Sequence, residues 1–225
     1  LKVKQLSDAC RLALNVMDWR QSGGDPNETP AACACMLNPY SSVDPAPPHP
    51  THVDKSTQEL GDILLDASLP LFERYRAMFS LRNRGGSNAV KELGRALVED
   101  TSSPLLRHEV AYVLGQLQHE DSVEALEQSL RRTEEHTMVR HESAEALGAI
   151  EARWSDVERI LQEFTKDANL TVAESCLVAL DAADYWGHAT SYNDDKVQEE
   201  GEPVSFVQQK NGNQQILAQH FNVQC

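Results

Sequence analysis

The sequence predicts an all-α fold, an α-solenoid of stacked helical hairpins. Two observations carry this: apolar residues recur at helical spacing, and the whole pattern recurs every 33 residues. Leu81, Leu114, Leu147 and Leu180 share one register, in the segments ERYRAMFSLRNRG, LRHEVAYVLGQL, VRHESAEALGAI and VAESCLVALDAA. In the second segment, Val110, Val113, Leu114 and Leu117 form the apolar stripe of an amphipathic helix. Second helices are expected at residues 89–98, 122–131 and 156–165, which makes each repeat a hairpin. Polar runs at 100–103 and 133–137 supply turns, and Pro104 suits a helix start because its missing N–H costs nothing there. No strand pattern is evident.

Hairpins at this period stack side by side, each burying its apolar face against its neighbours, as in HEAT-like arrays. Ankyrin repeats share the period, but their Thr-Pro-Leu-His signature is missing. Four repeats are expected over residues 57–186. The opening SDACRLALNVMDW echoes the later AESCLVALDAADYW, with Cys10 opposite Cys176, so residues 1–20 read as the last helix of a truncated preceding lobe. Residues 21–56 hold Gly23, Gly24, Pro26, Pro30 and a proline cluster from Pro39 to Pro50, the composition of a flexible, irregular linker. Residues 187–225 turn polar and Gln/Asn-rich and are expected to form a disordered tail.

With 225 residues, 40% of them apolar, the chain can bury a core. Lys and Arg number 20 against 35 Asp and Glu, a net charge of −15, which disfavours nucleic acid and anionic membranes and favours a basic protein partner. No apolar run reaches the roughly 18 residues of a membrane span. The amino end lacks a signal-peptide layout, so a cytoplasmic location is expected. The cysteines form no CxxC pair and read as reduced thiols.

Two repeats carry one triplet at one place: Arg107-His108-Glu109 and Arg140-His141-Glu142. The flanking repeats have Tyr75-Arg76 and Glu174-Ser175 at the His-Glu positions, so the inner units alone carry the pair. Equivalent helices in a stack sit about 8 to 10 Å apart, close enough for two inward-leaning imidazoles to reach one ion at about 2.1 Å each. Each Glu points about 100° further round its helix and need not bind the same ion. Imidazole plus carboxylate without thiolate suits iron or manganese oxygen chemistry better than a closed zinc site. The bland alternative for each pair is a hydrogen-bonded packing role; repetition in register favours the metal. Arg107 and Arg140 fit either substrate steering or a structural salt bridge, and Gly115 and Gly148 read as points of close helix contact.

The strings SVDPAPP (42–48), PLFERYRAMFSLRN (70–83), LLRHEVAYVLGQLQHE (105–120) and MVRHESAEALGAI (138–150) strongly resemble deoxyhypusine hydroxylase, a family of HEAT-repeat di-iron monooxygenases. The resemblance runs over about residues 6–186. It implies two four-repeat lobes, each supplying two His-Glu pairs to a pair of irons, with dioxygen as co-substrate. It further implies hydroxylation of the deoxyhypusine side chain on the precursor of translation factor five-A, completing hypusine. By this resemblance His108 and His141 ligate one iron, and Glu109 reaches the iron held mainly by the other lobe. Glu142 completes the metal-site set of four and also contacts the cationic amine of the substrate, with Met138 beside it. This sequence departs from the pattern in holding two His-Glu pairs, half of the di-iron ligands. It therefore reads as the carboxyl-terminal lobe plus linker, with an amino-terminal lobe as a further partner. Competing readings are a non-catalytic HEAT-repeat protein-binding module and a bilin-lyase-like HEAT protein, the latter predicting no paired His-Glu positions.

Overall fold

A computed structural model describes residues 2–25, 38–40 and 42–197. Its helices run α1 (Lys2–Gln21), α2 (Thr57–Leu65), α3 (Leu71–Arg84), α4 (Gly86–Glu99), α5 (Pro104–Leu117), α6 (Val123–Arg131), α7 (Thr137–Gly148), α8 (Trp154–Phe164) and α9 (Leu170–Val197). Among the described residues there is no strand, and no helix is long and apolar enough to cross a membrane. From α2 onward the chain alternates between two layers. Helices α3, α5, α7 and α9 pack in succession as the inner layer, and α2, α4 and α6 follow one another as the outer, with α8 against α7 and α9. The predicted HEAT-like solenoid of four hairpins is the architecture observed.

Local chemistry explains the helix boundaries. Ser56 accepts from the Glu59 N–H while the Glu59 carboxylate returns to the Ser56 N–H, a capping box that starts α2. Ser103 caps α5 ahead of Pro104, and Gln118, in the left-handed region at φ 50°, ends it. Leu81, Leu114 and Leu147 are fully buried, as the 33-residue register requires. Leu180 is only partly buried, because α9 is the last described helix of its layer and also leaves Leu177 and Val178 exposed.

Two glycines let the inner helices close up. A Cβ on Gly115 would lie 3.1 Å from Ala146 atoms of α7, and one on Gly148 would lie 2.7 Å from the Ala179 Cβ of α9. Side chains there would drive apart the helices that carry the histidines.

A buried arginine at one position of three successive inner helices ties the repeats together. Arg74 donates to the Leu64 carbonyl at the end of α2 and to Asp100 (2.7 and 2.6 Å). Arg140 repeats this with the Leu130 carbonyl and Asp167 (2.8 and 2.5 Å). Arg107 makes a bidentate pair with Glu135 (2.7 Å twice) and also reaches Asp100. Arg107 and Arg140 are thus engaged in structural salt bridges. Burial alone would raise the Asp100 carboxyl, but Ser102, Arg74 and the Ser103 N–H hold it below its ordinary value.

The expected flexible linker differs in its second half. Residues 42–56 lie against α3, where Arg82 grips Asp44 bidentately (2.8 and 2.6 Å), Arg76 donates to the Pro47 carbonyl and Arg84 to the His52 carbonyl. Ala46 and His52 are buried beneath this segment, with the His52 ring 2.8 Å from the Ser80 hydroxyl. Prolines restrict this backbone and leave carbonyls free, so arginine donors on α3 can hold an irregular strap in place. Residues 26–37 fall outside the described residues. Helix α1 packs on α3 and α5, burying Leu12 and setting Trp19 against Phe72, with Arg76 over both rings. The expected tail also differs at its start, since α9 continues to Val197: no Pro interrupts residues 187–197, and the single Gly187 costs only about 1 kcal/mol in a helix; residues 198–225 lie outside the described residues.

Gly148→Ala is expected to destabilise the fold by about 1–2 kcal/mol despite the better helix propensity of Ala, and Gly115→Ala by less, as read by urea unfolding. The His52 ring also makes stability depend on pH. Burial, then the charges of His49, Arg76 and Lys55, depress it from 6.5 to about 4, so between those values the unfolded chain binds the proton that the folded chain refuses. Stability is therefore lost as pH falls from 6.5 towards 4. Unfolding midpoints measured across that range should fall less steeply for His52→Gln than for the wild type.

Candidate metal centre

His108 sits on α5 and His141 on α7, and the stacking of these helices turns both rings into one space. The ligand atoms of His108, His141 and Glu142 all lie within 4.8 Å of one another. His108 Nε2 is 3.1 Å from Glu142 Oε2, and His141 Nε2 is 3.9 Å from the same oxygen. Two donors on one ion at about 2.1 Å stand about 3.0 to 4.2 Å apart, a span close to that of this group. Glu142 Oε1 and His108 Nδ1 are buried and, among the described residues, lack hydrogen-bond partners. A buried carboxylate oxygen without a donor beside two imidazoles fits a cation. The donor set of two nitrogens and a carboxylate suits a redox-active first-row metal such as iron.

The electrostatics of the cluster follow from burial and from its two glutamates. Burial opposes charge on the His108 ring, but the Glu142 hydrogen bond and charge, with Glu109 adding, raise its pKa above the ordinary value. His141 is raised chiefly by its hydrogen bond to Glu145, against burial. Burial pushes the Glu109 carboxyl up to about 7, opposed by His108 and reinforced by Glu142 and Asp44. Asp44 belongs to the strap held on α3, so that strap borders the site.

The structure brings three of the four expected metal-site residues together and leaves Glu109 outside the group. Glu109 follows His108 directly and points further round α5, whereas Glu142 comes from the next repeat, 34 residues on. Met138 lies in the first turn of α7, half-buried, one turn before His141 and Glu142. His136 accepts from the Met138 N–H and so caps that helix. Sequence reasoning missed Ser175 and Glu145, which both contact His141 Nδ1 (2.7 and 3.1 Å). The spacing held the signal: Ser175 stands 34 residues beyond His141, as Glu142 does beyond His108.

A repeat solenoid whose inner helices converge two histidines and a glutamate on one point defines the class: a HEAT-like α-solenoid with a candidate metal centre. The family profile described as HEAT repeats matches residues 57–148. The chain is similar to named deoxyhypusine hydroxylases, 46% identical over 91 residues to that of Danio rerio, 46% over 92 to that of Homo sapiens and 49% over 91 to that of Mus musculus. Each match covers 40% of this chain and 28%, 26% and 27% of the relative, so the aligned stretch spans about a quarter of those proteins. The solved structure of human deoxyhypusine hydroxylase in complex with glycerol superposes with a TM-score of 0.67 at 46% identity, covering 79% of this chain and 57% of that one. The resemblance read from the sequence strings therefore holds in sequence and in three dimensions.

Replacing Glu142 by Gln removes the charge and the acceptor that favour a protonated His108. The His108 titration midpoint is expected to fall, and NMR titration of the ring in the metal-free protein checks it; an unmoved midpoint would refute the contact.

Proposed function

We propose that this chain is one HEAT lobe of a deoxyhypusine monooxygenase, an iron-dependent oxidoreductase acting in the cytoplasm. Its substrate is the deoxyhypusine side chain of the translation factor five-A precursor, and its co-substrate is dioxygen. The convergence of His108, His141 and Glu142 across two repeats carries this reading, together with the similarity to relatives of that name. The chain holds half of the di-iron ligands. His108 and His141 would hold one iron, and Glu109 would serve a second iron held mainly by another lobe.

Bound iron supplies the redox chemistry that carries one atom of dioxygen to an unactivated carbon. The protein supplies position and charge. Glu142, buried and with one oxygen unpaired, offers a carboxylate to the cationic amine of the substrate, which needs a counter-charge when it leaves water. Met138, one turn earlier on the same face, lines its approach.

Anaerobic loading with iron(II) followed by metal analysis tests the proposal. Wild-type chain should retain iron, and His108→Ala or His141→Ala should lose it. Equal iron in all three, or none in the wild type, would favour the non-catalytic binding module. Glu142→Ala leaves both imidazoles in place and should retain iron, more weakly, while weakening substrate binding; complete loss of iron would make Glu142 an essential ligand and count against its substrate role.

A further inference from the structure

We infer that Ser175 and Glu145 are positioning residues for His141, holding its ring in the tautomer that offers Nε2 as a donor to a metal. This rests on the metal-site reading above and extends it to a repeat that has no His-Glu pair. Ser175 Oγ lies 2.7 Å from His141 Nδ1, and Glu145 Oε1 lies 3.1 Å from the same nitrogen. An ionised carboxylate can only accept a hydrogen bond. The Ser175 hydroxyl has a single proton, which it gives to the Thr171 carbonyl at 2.9 Å, so its lone pairs face the ring. Two acceptors at one nitrogen require the hydrogen to be on Nδ1. A neutral imidazole carries one N–H, so Nε2 keeps its lone pair on the side where His108 and Glu142 converge.

The two histidines are therefore unlike. His108 Nδ1 is buried and has no partner among the described residues, and its Nε2 faces Glu142 at 3.1 Å. Among the described residues no partner at Nδ1 fixes the His108 ring in a metal-ready form, whereas His141 is set before any ion arrives. The difference comes from the repeat step itself. One step beyond His108 the stack places a glutamate, and one step beyond His141 it places a serine that α9 anchors to its own backbone. Outer partners of this kind typically govern metal affinity by about 10- to 100-fold.

The test uses the full chain, nitrogen-15 NMR of the ring in the metal-free state above its titration, and cobalt(II) as the metal probe. In the wild type, His141 should carry its proton on Nδ1. In Ser175→Ala combined with Glu145→Ala, that population should drop and cobalt(II) affinity should fall about 10- to 100-fold. Glu145→Ala alone, at a side chain one quarter exposed, should give a smaller shift in the same direction and serves if the double variant does not fold. A wild-type His141 protonated on Nε2 would overturn the inference. So would a double variant, or a folded Glu145→Ala, with wild-type cobalt(II) affinity while His141→Ala abolishes binding; that outcome leaves the proposed function standing. Cobalt(II) binding unaffected by His141→Ala would instead overturn the metal-site reading and this inference with it.

Discussion

The buried arginine repeated on α3, α5 and α7 is the constraint from which the rest of the structure follows. Arg74, Arg107 and Arg140 are nearly inaccessible to solvent, so each guanidinium must be matched by acceptors inside the protein. Arg74 and Arg140 find them in an outer-helix carbonyl and an inter-repeat aspartate; Arg107 finds them in Glu135 and Asp100. A helix that slid or rotated by one residue would leave a charge buried and unpaired, a cost of about 3–5 kcal/mol. The ladder thus locks the rotation of α3, α5 and α7. His108 and His141 are the next residues along, so their directions are locked as well.

That coupling explains how a metal centre can be assembled from neighbouring repeats without a dedicated loop. Each inner helix repeats the one before it 33 residues on; at the site residue i meets residue i+34, and the small residues Gly115, Ala146, Gly148 and Ala179 keep the helices close. His108 meets Glu142 by this step, and His141 meets Ser175. The outermost repeats complete the neighbourhood in different ways. On one side α3 uses Arg76, Arg82 and Arg84 to hold an irregular strap that brings Asp44 near the site; on the other, α9 supplies the hydroxyl that orients a ring.

Much of this was legible before any coordinates. The 33-residue register located the inner helices and three of the outer ones, and the doubled Arg-His-Glu triplet pointed to the two histidines that converge. Helix α2 was less visible, because its nine residues carry too few apolar turns to stand out and its capping box lies in a stretch dominated by linker composition. The docking of residues 42–56 was invisible for a different reason. Proline-rich composition describes an isolated chain, and the arginines that tie it down lie on a helix whose own pattern accounts for them equally well as surface charges.

The sequence by itself determined the period, the all-α class and the residue types that can bind a metal, because these follow from local spacing and side-chain chemistry. Which glutamate joins the histidines was decided only by tertiary structure. Glu109 and Glu142 occupy identical places in their repeats, and the one-repeat offset between stacked helices, a long-range property, puts Glu142 against His108 and leaves Glu109 facing elsewhere. The same offset makes a serine from a repeat without the motif the partner of His141. Spacing along a chain names the candidates, and packing across helices chooses among them.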